Sequence, residues 1–340
     1  MPRANSYYQG PVSDHFDGQR FFNPGHPDTD RSLRQVLRWK WREKAAAWPK
    51  SVEIRQVVPD ARVDGLRVTM IGHATVLIQS AGLNLLTDPV WSDRASPVRF
   101  AGPRRVTAPG VAFDDLPPID AVLLSHNHYD HLDADTLRRL HAVHRPLIVT
   151  PLGNDTIVRR IVPDARIAVG DWWDGVALSD GARADIVPAY HWSARGPGDR
   201  RMALWGGFML RTRAGLVYFA GDTGYGDGAI FRRMRERYGA VDIALLPIGA
   251  YAPRWFMADQ HTDPDEAVRM LIDLEAHGAI GIHWGTLQLT DEARDEPEAL
   301  LRRALSDRGI APDRFPAALP GQSFDLTVDG GDRLLVLRDR

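Results

Sequence analysis

The chain has 340 residues, 44% of them hydrophobic and 25% charged, which is enough to bury a sizeable core without covalent staples. It contains no cysteine, and this excludes disulfides, thiolate metal ligands, cysteine nucleophiles and dithiol redox chemistry together. The net charge of −2 speaks against a nucleic-acid binder, and without an 18-residue apolar run or an apolar N-terminal leader the sequence reads as soluble and cytoplasmic.

Residues 1–64 differ from the rest. They are rich in aromatics, proline and arginine and carry few strand patterns, so they read as an extension wrapping a main domain of residues 65–340. One helix is expected near 30–47, with Leu33, Val36, Leu37, Trp41, Ala45 and Trp48 on one side. Between positions 31 and 50 seven Lys or Arg face one acid, Glu43. Such a helix either packs its apolar side on the domain beneath a basic rim or lies peripherally on an anionic membrane surface, and the two can hold together.

From Gly65 onward short apolar segments predict strands at 67–71, 76–79, 83–86, 121–124, 147–150, 186–189, 204–210, 216–220, 243–246 and 279–282. Helices are expected at 134–143, 228–238, 264–277 and 291–308. The third of these opens with Thr262 or Asp263 as cap and Pro264 at the first helical position. The tail, 324–328 and 333–337 around Asp329-Gly330-Gly331, reads as a hairpin. Strands first, then strands mixed with helices, predict an α/β arrangement of packed sheets with helices outside.

The strand at 121–124 runs directly into Ser125-His126-Asn127-His128-Tyr129-Asp130-His131. Three histidines and an aspartate this close together are hard to explain as core, because cationic imidazoles repel one another unless a metal deprotonates them. Extended alternation would put His126, His128 and Asp130 on one side, with His131 swinging to a second centre. Imidazole and carboxylate without thiolate suit zinc, iron or manganese. Four ligands cannot fill two metal spheres. Partners are expected at other strand ends, and His191, Asp222 and His283 each follow an apolar strand.

This HxHxDH loop, with a distant His, a Gly-Asp pair and a late His, resembles the dinuclear members of the metallo-β-lactamase superfamily. Further stretches narrow the resemblance to the N-acylphosphatidylethanolamine-hydrolysing phospholipase D branch. They include Ile71-Gly72-His73-Ala74-Thr75, Thr87-Asp88-Pro89, Arg94-Ala95-Ser96-Pro97, Gly221-Asp222-Thr223-Gly224-Tyr225, Pro253-Arg254-Trp255-Phe256-Met257, Gln260-His261 and His283-Trp284-Gly285-Thr286. Ala252 departs from the branch, standing where an acidic residue is expected. The resemblance implies an αββα sandwich of two mixed sheets flanked by helices, holding two zinc ions, with iron or manganese as substitutes. It implies that His126, His128 and His191 hold one ion, that Asp130, His131 and His283 hold the other, and that Asp222 bridges them.

The function implied by the same resemblance is that of a phosphodiesterase releasing an N-acylethanolamine and phosphatidic acid by attack of a metal-bridging hydroxide. Asp130, Asp222 and His261 are the candidate catalytic residues. Tyr129, Gln260, His261, Tyr251 and Trp255 are candidates for binding a phospholipid or other phosphodiester. Asp88 and His73 are expected to lie outside the ligand set and orient ligand imidazoles. His15, His26, His141, His144 and His277 read as surface or structural. The alternative enzyme is a metal-dependent lactonase acting on a phosphorylated sugar lactone; a metal-bound scaffold without turnover fits the seven-ligand set less well. A homodimer is compatible with the sequence and not required by it.

Overall fold

The structure, a computed structural model, describes residues 4–329 and 332–338. The Gly330-Gly331 turn of the expected tail hairpin lies outside them. Residues 4–64 contain one helix, α1 (Leu33–Arg42), and the sheets begin at β1 (Leu66–Gly72). Then come β2 (Thr75–Ser80), β3 (Leu83–Thr87), β4 (Ala121–Leu123), α2 (Ala134–Val143), β5 (Leu147–Pro151), α3 (Asn154–Ile161) and β6 (Arg166–Gly170). The second half contains β7 (Gly175–Ser179), β8 (Ala182–Val187), β9 (Gly207–Thr212), β10 (Gly215–Phe219), α4 (Ala229–Tyr238), β11 (Ile243–Pro247) and α5 (Arg254–Met257). It closes with α6 (Pro264–Asp273), β12 (Gly278–Ile282), α7 (Glu296–Ser306), β13 (Ser323–Asp329) and β14 (Asp332–Leu337).

Alternation along the strands builds the layers. In β1 and β2, Val68, Met70, Val76 and Ile78 face a central core, while Ile71 and Leu77 face an outer one under α2 and α3. In β10 and β11, Val217, Phe219, Ile243 and Leu245 meet that same central core; Leu216, Tyr218, Ala244 and Leu246 turn outward beneath α4, α6 and α7. Two sheets therefore pack face to face with helices on both outer sides. Their orders are β14-β13-β1-β2-β3-β4-β5-β6 and β12-β11-β10-β9-β8-β7. Both are mixed: β3 to β6 and β10 to β12 run parallel, so the C-terminal ends of several strands gather on one edge. This is the αββα sandwich that the family resemblance implied.

The upstream segment lies against this sandwich. Phe16 and Phe21 pack on Ala189, Leu204 and Trp205, and Trp39 packs on Phe256 and Met257. The expected helix at 30–47 is shorter, and its buried face differs. Trp39 is inside, whereas Trp41 is 92% exposed and Leu37 is exposed as well. After Arg42 the chain is extended, and the Ala46 N–H donates to the Asp291 carbonyl instead of continuing the helix. The edge strands β6 and β7, with mixed burial, escaped the periodicity reading, as did α3, which has a left-handed Gly153 and no side-chain cap at its start. The helix expected at 291–308 begins only at Glu296. Among the described residues no helix is long and apolar enough to cross a membrane.

Candidate metal centre

The edge formed by the strand C-termini collects the chemistry. His73 follows β1, Asp88 follows β3, the 125–131 loop follows β4, Asp222 follows β10, and His283 follows β12. His191 lies a few residues beyond β8. Gly221 permits the turn before Asp222: its φ is +60°, and a Cβ there would come within 2.8 Å of the Ser125 Cβ. His73 and His283 also adopt positive φ, 57° and 61°. Backbone strain of this kind gathers where a site dictates side-chain direction.

The donor atoms form two adjoining groups. In one, His126 Nε2 lies 2.8 Å and His191 Nε2 3.2 Å from His128 Nδ1. In the other, Asp130 Oδ2 is 3.3 Å from both His131 Nε2 and His283 Nε2. Asp222 lies between the groups, with Oδ2 3.2 Å from His131 Nε2 and 3.7 Å from His191 Nε2, and Oδ1 3.1 Å from His283 Nε2. The seven side chains named from sequence therefore converge. The simple alternation does not hold: the His131 and Leu132 N–H groups both donate to the His128 carbonyl, and this turn carries Asp130 to the side of His131, away from His126 and His128.

Hydrogen bonds around the donors fix their direction. The buried Asp88 carboxylate accepts from the Ser125 N–H at 2.7 Å, from Ser125 Oγ at 2.5 Å and from His131 Nδ1 at 2.6 Å. Ser125 Oγ, whose hydroxyl hydrogen is directed at Asp88, lies 2.9 Å from His126 Nδ1 and accepts from it. One carboxylate thus steers an imidazole in each group. His191 Nδ1 donates to the Gln260 carbonyl at 2.9 Å, and His73 Nε2 donates to Asp130 Oδ2 at 3.0 Å.

The donor set fits metal ions on its own chemistry. With Nδ1 of His126 and of His191 donating elsewhere, both Nε2 atoms present bare lone pairs to His128 Nδ1, which has at most one proton to offer. Tetrahedral zinc at about 2.0–2.1 Å from nitrogen would set ligand atoms roughly 3.4 Å apart, near the separations seen here. His261 Nδ1, buried and without a hydrogen-bond partner among the described residues, lies 3.9 Å from Asp222 Oδ2 at the border of the cluster.

Charge follows the same division. Burial holds His126 and His191 well below the ordinary histidine value and takes His128 down to about 3, so that group is neutral. Burial likewise lowers His261 to about 4 and, with His283 beside it, His73 to about 3. Burial opposes a charge on His131 and His283 too, but carboxylates outweigh it. Asp222, Asp130 and Asp88 raise His131 well above its usual value, and Asp222 with Asp130 raises His283 to about 9. Those two imidazolium charges in turn hold Asp130 and Asp222 well below the carboxylate range despite burial. Without cations, two protons do the electrostatic work that metal ions would take over.

Three candidate substrate contacts have partners of their own within the fold. The Tyr251 hydroxyl donates to Glu296 Oε1 at 2.8 Å, and the Tyr129 hydroxyl donates to the Arg195 carbonyl at 2.7 Å, so both are engaged elsewhere. Trp255 is 40% exposed and lies under the Arg38 guanidinium of α1. Gln260 reaches the cluster through its backbone carbonyl, while its side-chain amide nitrogen meets Met257 Sδ. The sequence gives no role to Asn23 and reads His26 as surface or structural. The structure places Asn23 on the His191 carbonyl and His26 against the neighbouring Tyr190.

Comparison with known proteins agrees with this geometry. The sequence profile of the Beta-lactamase superfamily domain matches residues 83–284. N-acyl-phosphatidylethanolamine-hydrolyzing phospholipase D 1 of Caenorhabditis elegans is 35% identical over 314 residues, 86% of this chain and 88% of that protein. The mitochondrial N-acyl-phosphatidylethanolamine-hydrolyzing phospholipase D of Saccharomyces cerevisiae is 34% identical over 238 residues, 68% of this chain and 50% of that protein. Among solved structures, the isothiocyanate hydrolase from Delia radicum gut bacteria superposes with a TM-score of 0.60 at 25% identity, covering 76% of this chain and 98% of that one. Sheet order, donor set and sequence converge: the chain belongs to the beta-lactamase superfamily and is a metal-dependent hydrolase related to the N-acylphosphatidylethanolamine-hydrolysing phospholipases D.

Proposed function

We propose that this hydrolase is a two-metal phosphodiesterase that cleaves N-acylphosphatidylethanolamine-like lipids to an N-acylethanolamine and phosphatidic acid. The observation that carries the reading is the pair of adjoining donor groups sharing Asp222. In it, His126, His128 and His191 would hold one ion, Asp130, His131 and His283 would hold the second, and Asp222 would serve both. Zinc suits this nitrogen and oxygen set, with iron or manganese as substitutes. Bound there, a pair of such ions supplies Lewis acidity toward a phosphoryl oxygen and lowers the pKa of a water toward roughly 7.

The chain's own side chains divide the remaining tasks. Asp88 and His73 orient His131, His126 and Asp130 from outside the ligand set. His261, kept neutral by burial, offers an N–H to a phosphate oxygen rather than a proton to the leaving group. Nearby metal cations would push its pKa further down, which argues against an acid role. Residues 1–64 form the extension and residues 65–340 the catalytic domain. On α1, Trp41 and Leu37 are exposed among Arg34, Arg38 and Arg42, a surface suited to an anionic lipid face. The lipid-type substrate is supported by the phospholipase D relatives, which match across most of the chain.

The test uses mixed vesicles containing N-acylphosphatidylethanolamine. Purified, zinc-loaded protein should release the N-acylethanolamine, and both chelation and Asp222→Asn should abolish that release. A loaded protein that ignores the lipid but opens a phosphorylated sugar lactone would replace this reading with the lactonase one.

A further inference from the structure

Backbone carbonyls beside the metal-binding side chains are held by side chains from far upstream. Asn23 Nδ2 donates to the carbonyl of His191 itself at 3.1 Å. His26 Nε2 donates to the Asp259 carbonyl at 2.7 Å, and its ring stacks on Tyr190 with centroids 4.0 Å apart and planes 6° from parallel. Arg31 donates from Nε and Nη2 to the Phe256 carbonyl at 3.1 and 3.0 Å, and from Nη2 to Asp259 Oδ2 at 2.6 Å. Further along, Trp39 packs on Phe256 and Met257.

Between these anchored points lies the bond from His191 Nδ1 to the Gln260 carbonyl, 2.9 Å long. That bond keeps the proton on Nδ1 and leaves the Nε2 lone pair directed at the group with His126 and His128. Gln260 stands just beyond the four-residue α5, where its N–H donates to the Met257 carbonyl and the Thr262 N–H donates to the Thr223 carbonyl. The upstream segment touches both ends of the bond: Asn23 at the backbone of the donor residue, and His26 at the carbonyl immediately before the acceptor.

We propose that residues 23–39 are a positioning strap for the metal site built on His191, with Asn23 and His26 as positioning residues. The proposal rests on the two-metal reading above. A segment that only stabilised the fold would alter both metal sites alike or neither. A positioning strap alters one, because the group of Asp130, His131 and His283 takes its orientation from Asp88 and His73 and not from this segment.

The experiment titrates the full-length, metal-stripped chain with Zn²⁺ against a chromophoric chelator, and with Co²⁺ to record its ligand-field spectrum. The variants are Asn23→Asp, which removes the donor at nearly constant size, His26→Ala, and His26→Gln, whose amide nitrogen can replace Nε2. Asn23→Asp and His26→Ala should weaken one ion by about 10–100-fold, the same ion that a His126→Ala reference loses, and leave the other within about twofold. His26→Gln should restore most of the affinity. Two unchanged ions, or two weakened equally, would overturn the strap and leave the two-metal reading standing. Wild-type protein binding fewer than two ions would defeat that reading itself, whatever the variants do. If His26→Ala does not fold, Asn23→Asp alone decides, with its circular dichroism and thermal midpoint as the folding control.

Discussion

The environment of His261 bears on the role proposed for it. Its Nδ1 lies 3.9 Å from Asp222, its ring is 5.1 Å from that of His191, and burial takes its pKa to about 4. A neutral imidazole can donate one hydrogen bond to developing charge on a phosphate but holds no proton to give away at neutral pH. Removing one such donor from a comparable site costs about 10²–10³ in kcat. His261→Ala in the metal-loaded protein is expected to lose an amount of that order, with a smaller change in KM and with the limbs of the pH–rate profile unmoved. Disappearance of the alkaline limb would instead mark His261 as the acid.

At the scale of elements, α1 combines two faces that its sequence did not separate. Its start is fixed by a capping box in which Ser32 Oγ accepts from the Gln35 N–H while Gln35 Oε1 accepts from the Ser32 N–H. Trp39 then turns inward onto α5, leaving Trp41 and the arginines outward. Arg34, Arg38 and Arg42 are exposed, and each basic residue near an anionic bilayer contributes about 1 kcal/mol to attraction. Changing all three to Glu should lower partitioning onto anionic vesicles by at least about a hundredfold, measured by co-sedimentation, with hydrolysis of a soluble diester retained. Undiminished vesicle binding would leave α1 only its packing role.

The whole molecule stores charge at its sheet edge in a way that reverses with metal. In the metal-free protein His283 titrates near 9 against 6.5 when unfolded, so its proton contributes stability fully below about 6.5 and loses it as pH rises through about 9. His131 acts in the same direction. Metal binding displaces those protons, so metal affinity should rise with pH across the same interval. Thermal midpoints recorded from pH 6.5 to 9 are therefore expected to fall for the stripped protein and to hold or rise for the loaded one at fixed total metal. Parallel slopes for the two forms would show that His131 and His283 do not exchange protons for metal.

The αββα fold was legible through the family resemblance; much of the strand pattern, the capped α6 and the seven candidate donor residues were legible in the amino-acid order alone. Each rests on information carried over a few neighbours: alternation, a cap with proline, a dense run of ligand types after an apolar strand. Which donors share a group came only through the family resemblance and not from spacing, since the turn at His128 that carries Asp130 across depends on hydrogen bonds. Packing likewise selected the buried side of α1 and engaged the Tyr251 and Tyr129 hydroxyls elsewhere. Asn23 and His26 lie 168 and 233 residues from the carbonyls they hold. No local pattern marks such pairs; folding the upstream segment across the strand ends creates them.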